Sequence, residues 1–503
     1  MNQRISQLQD HARAALATGR EQAALDEIAQ WQSVNWSSPE LLHWQGLLLR
    51  ALDRRGEAVG LLQRAAAVAP QDSGIAHSLA QVLLEAGLLS MARFEAALML
   101  NPGSSDIRLG LVSARFAEGH GEQAVQELGA ALGNNPGWIE GHHQYAQLCA
   151  LMGRPESAFA TLDLTVLAFP QSLEPWLAAI SLAMSGGGYA AALDYAERAT
   201  AHHEGEPRIA ELRAAALDES DRSVEAASLY ARLGEAGDQA GAVRRLRHHL
   251  RLRNPAAALK TAEPWLASVH ATEVWPYVSL AWRLLGDRHA EWLEGQAGLI
   301  RQIDLDPDAI GLPALAERLR SIHATSGRFL DQSVRFGTQT NGPLFARIEP
   351  EIVRAKAALE VAVAQYVAGL PPQDAHHPQL APKRDRPPRF AGSWSVRLSE
   401  GGFHTNHHHP QGWFSSAFYV AVPGTLSGTG PHLYGGRAEQ ARYPMGDPAS
   451  ANLWYRRDPA GGVSPDARVL YRVGTRLPGV SDAGVGGSRR RIHLTARFPA
   501  EGR

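Results

Sequence analysis

The feature that most constrains this chain is a repeat of about 34 residues in its first half. Pro70, Pro102, Pro136 and Pro170 end similar segments, at spacings of 32, 34 and 34 residues. Small residues recur at matching offsets before these prolines, at Ala65, Ala58 and Gly46, at Ala131 and Ala124, and at Ala158. Small side chains at such offsets let two short antiparallel helices approach closely, and the proline then ends the second helix. We therefore expect a stack of helix pairs.

These segments resemble the tetratricopeptide repeat, a helix pair with a period of about 34 residues and a proline at its end. The resemblance covers roughly residues 5–250. It implies an α-solenoid over residues 1–250, whose surface binds a protein or peptide partner. The alternative is a helical bundle without repeats, but it leaves the shared register of the segments unexplained.

Composition limits the classes of function that remain. The 503 residues carry a net charge of −2, so bulk charge does not hold the chain on nucleic acid or on an anionic membrane. Because Cys149 is the only cysteine, no intramolecular disulfide can form, and we expect a reducing, cytoplasmic location. We find neither a secretory signal nor an apolar run of about 18 residues, and therefore expect no membrane span.

The middle of the chain is read as a connector. Residues 243–260, VRRLRHHLRLRNPAAALK, form a basic helical run. We interpret it as a solvated helix face with a contact between domains, in preference to a nucleic-acid site. Residues 251–370 are expected to form a helical connector and the start of the next domain. The proline-dense stretch 370–390 then enters a β domain, since proline at this density suits neither a helix nor a central strand.

After residue 390 the hydrophobic period changes from 3.6 to 2. SWSVRLSE (393–400) places Trp394, Val396 and Leu398 on one side, and WFSSAFYVAVP (413–423) predicts a second strand. We expect a β domain over 371–503. Its tail, 431–503, is atypical, because it is poor in β-branched and aromatic residues and rich in Gly, Ala, Pro and Arg.

Between these two strands lies GGFHTNHHHPQG, whose histidines have the spacing of metal ligands. Residues i and i+2 of an extended strand point to one side, so His407 and His409 can converge on one cation. Neutral imidazoles suit iron, zinc or copper, and an iron site that activates oxygen needs three protein ligands with open positions. A His-rich surface loop, or a zinc or nickel cluster without catalysis, are the alternatives.

Two stretches resemble a known enzyme family. QSVRFGTQT (332–340) and FAGSWSVRLSEGGFHTNHHHPQGWFSSAFYVAVP (390–423) are similar to 2-oxoglutarate- and iron(II)-dependent oxygenases that follow tetratricopeptide repeats in bacterial proteins. The resemblance implies an α+β multidomain chain whose C-terminal domain is a double-stranded β-helix, or jelly roll. It implies Fe(II) and 2-oxoglutarate as cofactors, with ascorbate in support, and His407 and His409 as iron ligands. The implied reaction hydroxylates a C–H bond and releases succinate and carbon dioxide.

The family's third histidine and its arginine have no clear counterpart here. The only histidines in residues 431–503 are His432 and His493. In one interpretation, the segment RRRIHLTARF forms a strand that supplies His493 as third ligand. Arg491 or Arg497 would then bind the distal carboxylate of 2-oxoglutarate. In the other interpretation, the tail, residues 431–503, is translated from a shifted reading frame of the gene.

Other residues near the motif are candidates for contact with the substrate or for support of the ligands. These are Asn406, Trp413 and Tyr419. Two functions remain open. The chain is either a dioxygenase whose repeats recruit a protein partner or substrate, or a non-catalytic repeat scaffold with a degenerate oxygenase domain.

Overall fold

The structure is a computed structural model. It describes residues 2–32, 38–324, 327, 329–330, 332–385, 388–404, 409, 412–421, 468–473 and 491–499. The chain divides into two compact units. The first comprises Met1–Asn135 with Gly342–Val353, and the second comprises Pro136–Asn341 with Arg354–Arg503.

The first unit contains four antiparallel helix pairs. They are α1 and α2 (Asn2–Thr18, Glu21–Gln32), α3 and α4 (Pro39–Ala51, Arg55–Val68), α5 and α6 (Ser73–Glu85, Met91–Leu100), and α7 and α8 (Ser105–Ala117, Gly121–Asn134). Their apolar faces form a core in which Leu41, Leu48 and Leu62 are fully buried.

The second unit begins with five further pairs. They are α9 and α10 (Ile139–Leu151, Ala160–Ala168), α11 and α12 (Leu173–Ser185, Tyr189–Thr200), α13 and α14 (Pro207–Glu219, Ser223–Leu233), α15 and α16 (Gln239–Arg251, Pro255–Ala262), and α17 and α18 (Ala271–Leu285, His289–Glu294). Short 3₁₀ turns at Pro155–Ser157 and Glu263–Trp265 precede α10 and follow α16. The pairing thus passes residue 250, where we expected the repeats to end, and continues to Glu294.

The turn inside each pair shows the repeat period directly. One residue of every turn has a positive φ, and these residues are spaced 32 to 34 apart: Gly19, Asp53, Gly87, Gly119, Gly153, Gly187, Asp221, Arg253 and Gly286. The left-handed conformation suits glycine best, because it lacks a Cβ. Six of these nine positions carry glycine, and the other three keep the same backbone. The local geometry of the repeat therefore extends through nine pairs in the described part of the chain.

Neighbouring repeats are also joined by hydrogen bonds of one repeat length. In the first unit, His43 contacts Ser78 at 2.7 Å, and Arg50 Nε donates to Glu85 Oε2 at 3.0 Å, each across 35 positions. In the second unit, the Tyr195 hydroxyl donates to Asp163 at 2.6 Å, across 32 positions. Such bonds fix the register of each helix pair on the next one.

A distant segment belongs to the first unit. Residues Gly342–Val353 include a 3₁₀ turn, Leu344–Ala346, whose three side chains are buried. The amide of Ile348 donates to the carbonyl of Ala86 at 3.3 Å, and its side chain packs on the core of the first repeats. Part of the surface of these repeats is therefore covered by the chain itself.

The structure corrects our interpretation of the basic run as a solvated helix face. Helix α15 carries residues 243–251 of the run, and its arginines pair with carboxylates of α13. Arg245 bonds Glu211 at 2.7 Å, and Arg251 lies 2.6 Å from Glu219. Arg245 is only 7% exposed. Part of the positive charge of the run is therefore paired with carboxylates within the repeats.

Among its described residues, the rest of the second unit contains one sheet of six antiparallel strands. They are β1 (Ile300–Asp304), β2 (Val334–Gln339), β3 (Gly392–His404), β4 (Gly412–Ala421), β5 (Arg468–Val473) and β6 (Arg491–Pro499). Their order across the sheet is β1-β5-β4-β6-β3-β2. Helices α19 (Pro307–Ile310), α20 (Leu312–Ala324) and α21 (Pro350–Ala368) precede β3 along the chain.

The expected fold class is therefore confirmed in its coarser form, as helical repeats followed by a β region. A jelly roll needs two facing sheets, and the described residues contain one. The double-stranded β-helix remains a prediction for this reason. Among the described helices, none is both long enough and apolar enough to cross a bilayer.

Candidate active site

One face of the sheet carries the apolar stripe that the sequence predicted on β3. Val396 and Leu398 are buried together with Val334 of β2, and Trp394 packs against them. Alternate residues of β3, Ser393 and Ser395, are also buried and lie on the other face. The predicted strand and its two faces are confirmed here, and the stripe defines what we call the Trp394 face.

Strand β6 lies in the middle of the sheet, between β3 and β4. Its register places His493 opposite Val396 on one side and opposite Tyr419 on the other. Residues directly opposite each other in antiparallel strands lie on the same face. Position 493 therefore belongs to the Trp394 face.

The same register places both candidate arginines on this face. Arg491 pairs with Leu398, and Arg497 pairs with Gly392. Both positions alternate in phase with residue 493, so the three candidates of the tail share one face. The strand predicted at RRRIHLTARF is thus present, and it is the strand that joins β3 to β4.

His409 lies next to this face. Its ring centroid is 5.6 Å from that of Trp394, with the two planes inclined at 61°. The carbonyl oxygen of His409 accepts a hydrogen bond from the amide of Gly412 at 3.2 Å, at the first residue of β4. His407 and Asn406 lie outside the described residues.

Trp413 has a definite partner. Its indole Nε1 donates to the carbonyl oxygen of Gln379 at 2.8 Å, and its ring packs edge-on against Phe414. Phe414 is buried against Tyr366 of α21, with ring centroids 5.2 Å apart. Burial raises the pKa of Tyr366, whose hydroxyl donates to the carbonyl of Leu299 at 2.7 Å. Trp413 therefore ties β4 to the stretch before β3.

The opposite face of the sheet carries a polar network that the sequence did not reveal. His323 of α20 is 4% exposed. Its Nδ1 lies 2.8 Å from Thr338 Oγ1, and its Nε2 lies 3.0 Å from Ser395 Oγ. Burial, with a smaller contribution from Arg397, lowers its pKa to about 4. The neutral imidazole thus links the QSVRFGTQT block to β3, which gives that block a structural role.

Another histidine lies at the end of β3. His404 pairs with Val334, and its Nδ1 lies 2.9 Å from Ser333 Oγ. The motif is therefore anchored on both sides, by the end of β3 at His404 and by the start of β4 at Gly412.

The donor types of the candidate site suit ferrous iron, since neutral imidazoles are common ligands of this ion. Within the described ranges, no three His, Cys, Asp or Glu side chains are grouped to hold a metal ion. The structure describes three parts of the candidate site: the Trp394 face, the backbone of β6 and the ring of His409. The set of iron ligands is therefore a proposal.

Comparison with known families gives matches in both parts of the chain. A family model described as "Putative 2OG-Fe(II) oxygenase" matches residues 392–452. A model of the tetratricopeptide repeat matches residues 89–143. The chain therefore carries tetratricopeptide repeats and an oxygenase-family segment. The resemblance seen in the sequence is confirmed, and the oxygenase match includes the whole of β3 and β4.

Solved structures with similarity to this chain include MamA of Desulfovibrio magneticus RS-1. It is 18% identical, over 32% of this chain and 93% of that chain, at a TM-score of 0.29. A tetratricopeptide repeat protein of Thermus thermophilus is 25% identical, over 38% and 98%, at 0.24. One from Parabacteroides merdae is 16% identical, over 47% and 94%, at 0.30. No curated protein matches the chain.

Proposed function

We propose that this protein is an Fe(II)- and 2-oxoglutarate-dependent dioxygenase whose tetratricopeptide repeats recruit a protein substrate. The observation that supports the proposal best is the register of β6. It brings position 493 to the face on which Trp394 contacts His409, and the latter two residues lie within the segment 392–452 that matches the oxygenase family.

In this proposal, His407, His409 and His493 hold the iron. Arg491 or Arg497 binds the distal carboxylate of 2-oxoglutarate through its planar guanidinium. Tyr419 is paired with His493 across β4 and β6 and borders the substrate. The iron and 2-oxoglutarate supply the oxidation of a substrate C–H bond, with succinate and carbon dioxide as coproducts. The jelly roll that we expect around residues 371–503 would enclose this chemistry.

The repeats suit a protein substrate, because stacks of helix pairs typically bind peptides or proteins over an extended surface. Nine described pairs offer far more surface than a small molecule could contact. We propose a cytoplasmic location, which rests on the low cysteine content of the sequence, with Cys149 alone.

The test is succinate formation by the full-length protein with Fe(II), 2-oxoglutarate, ascorbate and oxygen. We expect oxygen-dependent succinate that falls to background in His407→Ala, His409→Ala and His493→Ala. His376→Ala is the control, because this exposed histidine lies outside the motif. Wild-type protein that forms no succinate and binds no Fe(II) refutes the proposal and leaves the repeat scaffold as the function.

A further inference from the structure

A chain of hydrogen bonds leads from helix α18 to the first residues of β4. His377 Nε2 lies 3.2 Å from the carbonyl oxygen of Trp292, near the end of α18. The amide of Gln379 donates to His377 Nδ1 at 3.1 Å. The carbonyl oxygen of Gln379 then accepts from Trp413 Nε1 at 2.8 Å. These residues belong to the second unit.

The partners of His377 define its protonation. A carbonyl oxygen can only accept, so Nε2 carries the hydrogen, whereas Nδ1 accepts from an amide and carries none. The imidazole is therefore neutral, and burial lowers its pKa. The side chain is 0% exposed and its ring packs on that of Trp292, with centroids 4.8 Å apart. A buried group whose two nitrogens are both used is costly to replace.

The last link reaches the histidine motif. Gly412 precedes Trp413, and its amide donates to the carbonyl oxygen of His409 at 3.2 Å. Gln379 therefore fixes the indole of Trp413, and with it the start of β4. The amide of Gly412 at the start of β4 in turn fixes the backbone of His409. Trp394 contacts the His409 ring, so this residue is held at its backbone and at its side chain.

We propose that His377 is a positioning residue for the candidate iron site and acts on His409 through Gln379 and Trp413. The proposal rests on the function proposed above. It assigns a purpose to the proline-dense stretch 370–390, which presents His377 and Gln379 between helix α18 and strand β4. It also explains why a tryptophan follows the histidines, since its indole offers an N–H that reaches Gln379 from the strand.

The test measures Co(II) binding by visible absorption, without oxygen or 2-oxoglutarate, in the full-length protein. Removal of groups that orient a metal ligand lowers metal affinity by about 10- to 100-fold. We expect such a loss in His377→Ala. The neighbouring His376 is exposed, so His376→Ala is a matched control and should bind like the wild type. His377→Asn keeps an acceptor where Nδ1 lies and should restore part of the affinity.

Trp413→Phe guards against a variant that simply unfolds, because it removes the N–H and keeps most of the ring. It should lose as much affinity as His377→Ala, and the double variant should lose no more than either one. Hydrogen exchange of the metal-free protein gives an independent readout. His377→Ala should accelerate exchange of the amides of residues 412–416, at the start of β4, and His376→Ala should not.

The outcomes separate the two proposals. Wild-type protein that binds no Co(II) refutes the function, and amide exchange at residues 412–416 then decides whether the hydrogen-bond chain holds the start of β4. Wild-type affinity and exchange in a folded His377→Ala variant overturn the inference, as does additive loss in the double variant.

Discussion

The burial of His323 predicts how much stability the protein loses in acid. Its side chain is 4% exposed and lies between Thr338 and Ser395, and burial lowers its pKa from 6.5 to about 4. In the unfolded chain the imidazole is protonated below about pH 6.5. Between pH 6.5 and 4 the unfolded state therefore binds a proton that the folded state does not. The contribution of His323 to stability is complete above pH 6.5 and is lost as the pH falls towards 4.

The size of the effect follows from the two pKa values. A gap from 6.5 to about 4 corresponds to about 3 kcal/mol between neutral pH and pH 4. His323→Gln keeps a donor and an acceptor in the same place but cannot be protonated in this range. We expect the variant to lose about 3 kcal/mol less than the wild type over this interval.

The assay is hydrogen exchange followed by mass spectrometry at several pH values from 4 to 7.5. It reports the free energy of opening for peptides that cover α20 and residues 392–398, after correction for intrinsic exchange. Three other histidines of the second unit, His142, His249 and His377, also have lowered pKa values, and their contributions cancel in the difference between variant and wild type. His376→Gln is the exposed control. Equal pH dependence in wild type and His323→Gln would refute the reasoning.

Two further predictions concern the packing of the repeats. Gly110→Ala should destabilise the first unit by about 1–3 kcal/mol, because a Cβ there would overlap the fully buried ring of Phe94. Gly60→Ala should stabilise the first unit by about 1 kcal/mol, because Gly60 lies in a helix with open space around the new methyl group. The assay compares the urea midpoints of the two variants. Equal shifts for Gly110→Ala and Gly60→Ala would contradict the close packing of Gly110 on Phe94. Glu219→Gln should cost about 3 kcal/mol or more in the second unit, since it leaves the buried guanidinium of Arg251 without its charged partner at 2.6 Å. Thermal unfolding followed by far-ultraviolet circular dichroism measures this loss, and a change below about 1 kcal/mol would count against a buried ion pair.

The repeats were visible in the sequence up to the point where their markers changed. The terminal prolines stop at Pro170, and with them the clearest sign of the period. Asp221 and Arg253 then occupy turn positions that glycine holds in most other pairs, yet their φ values of 60° and 54° keep the same turn. Residue identity therefore does not mark every turn. Without the terminal prolines, we placed the end of the repeats at residue 250, although Gly286 still occupies the turn of the last pair.

The basic run misled us for a related reason. A run such as RRLRHHLRLR has no carboxylate of its own, so its local charge indicates a solvated surface. Its partners Glu211 and Glu219 lie one repeat earlier, on α13. Only the stacking of α13 on α15 brings the opposite charges together.

For the candidate site, the sequence identified strand positions but not their neighbours. The alternation of Trp394, Val396 and Leu398 correctly predicted one face of β3, and the strand that one interpretation placed at RRRIHLTARF is present as β6. His377 gave no sign of a role, because its neighbour His376 is of the same type and only burial separates them. His323 likewise sits in an ordinary helical pattern.

Local periodicity thus predicted the helix pairs up to residue 250, the strands β3, β4 and β6, and which residues of β3 share a face, because these properties depend on residues a few positions apart. Tertiary structure alone decided that β6 lies between β3 and β4, that position 493 shares the face of Trp394, and that His377 is tied to Trp413 through Gln379. Those contacts join residues far apart in the chain, and their register is set by packing and pairing across the sheet and not by any local pattern.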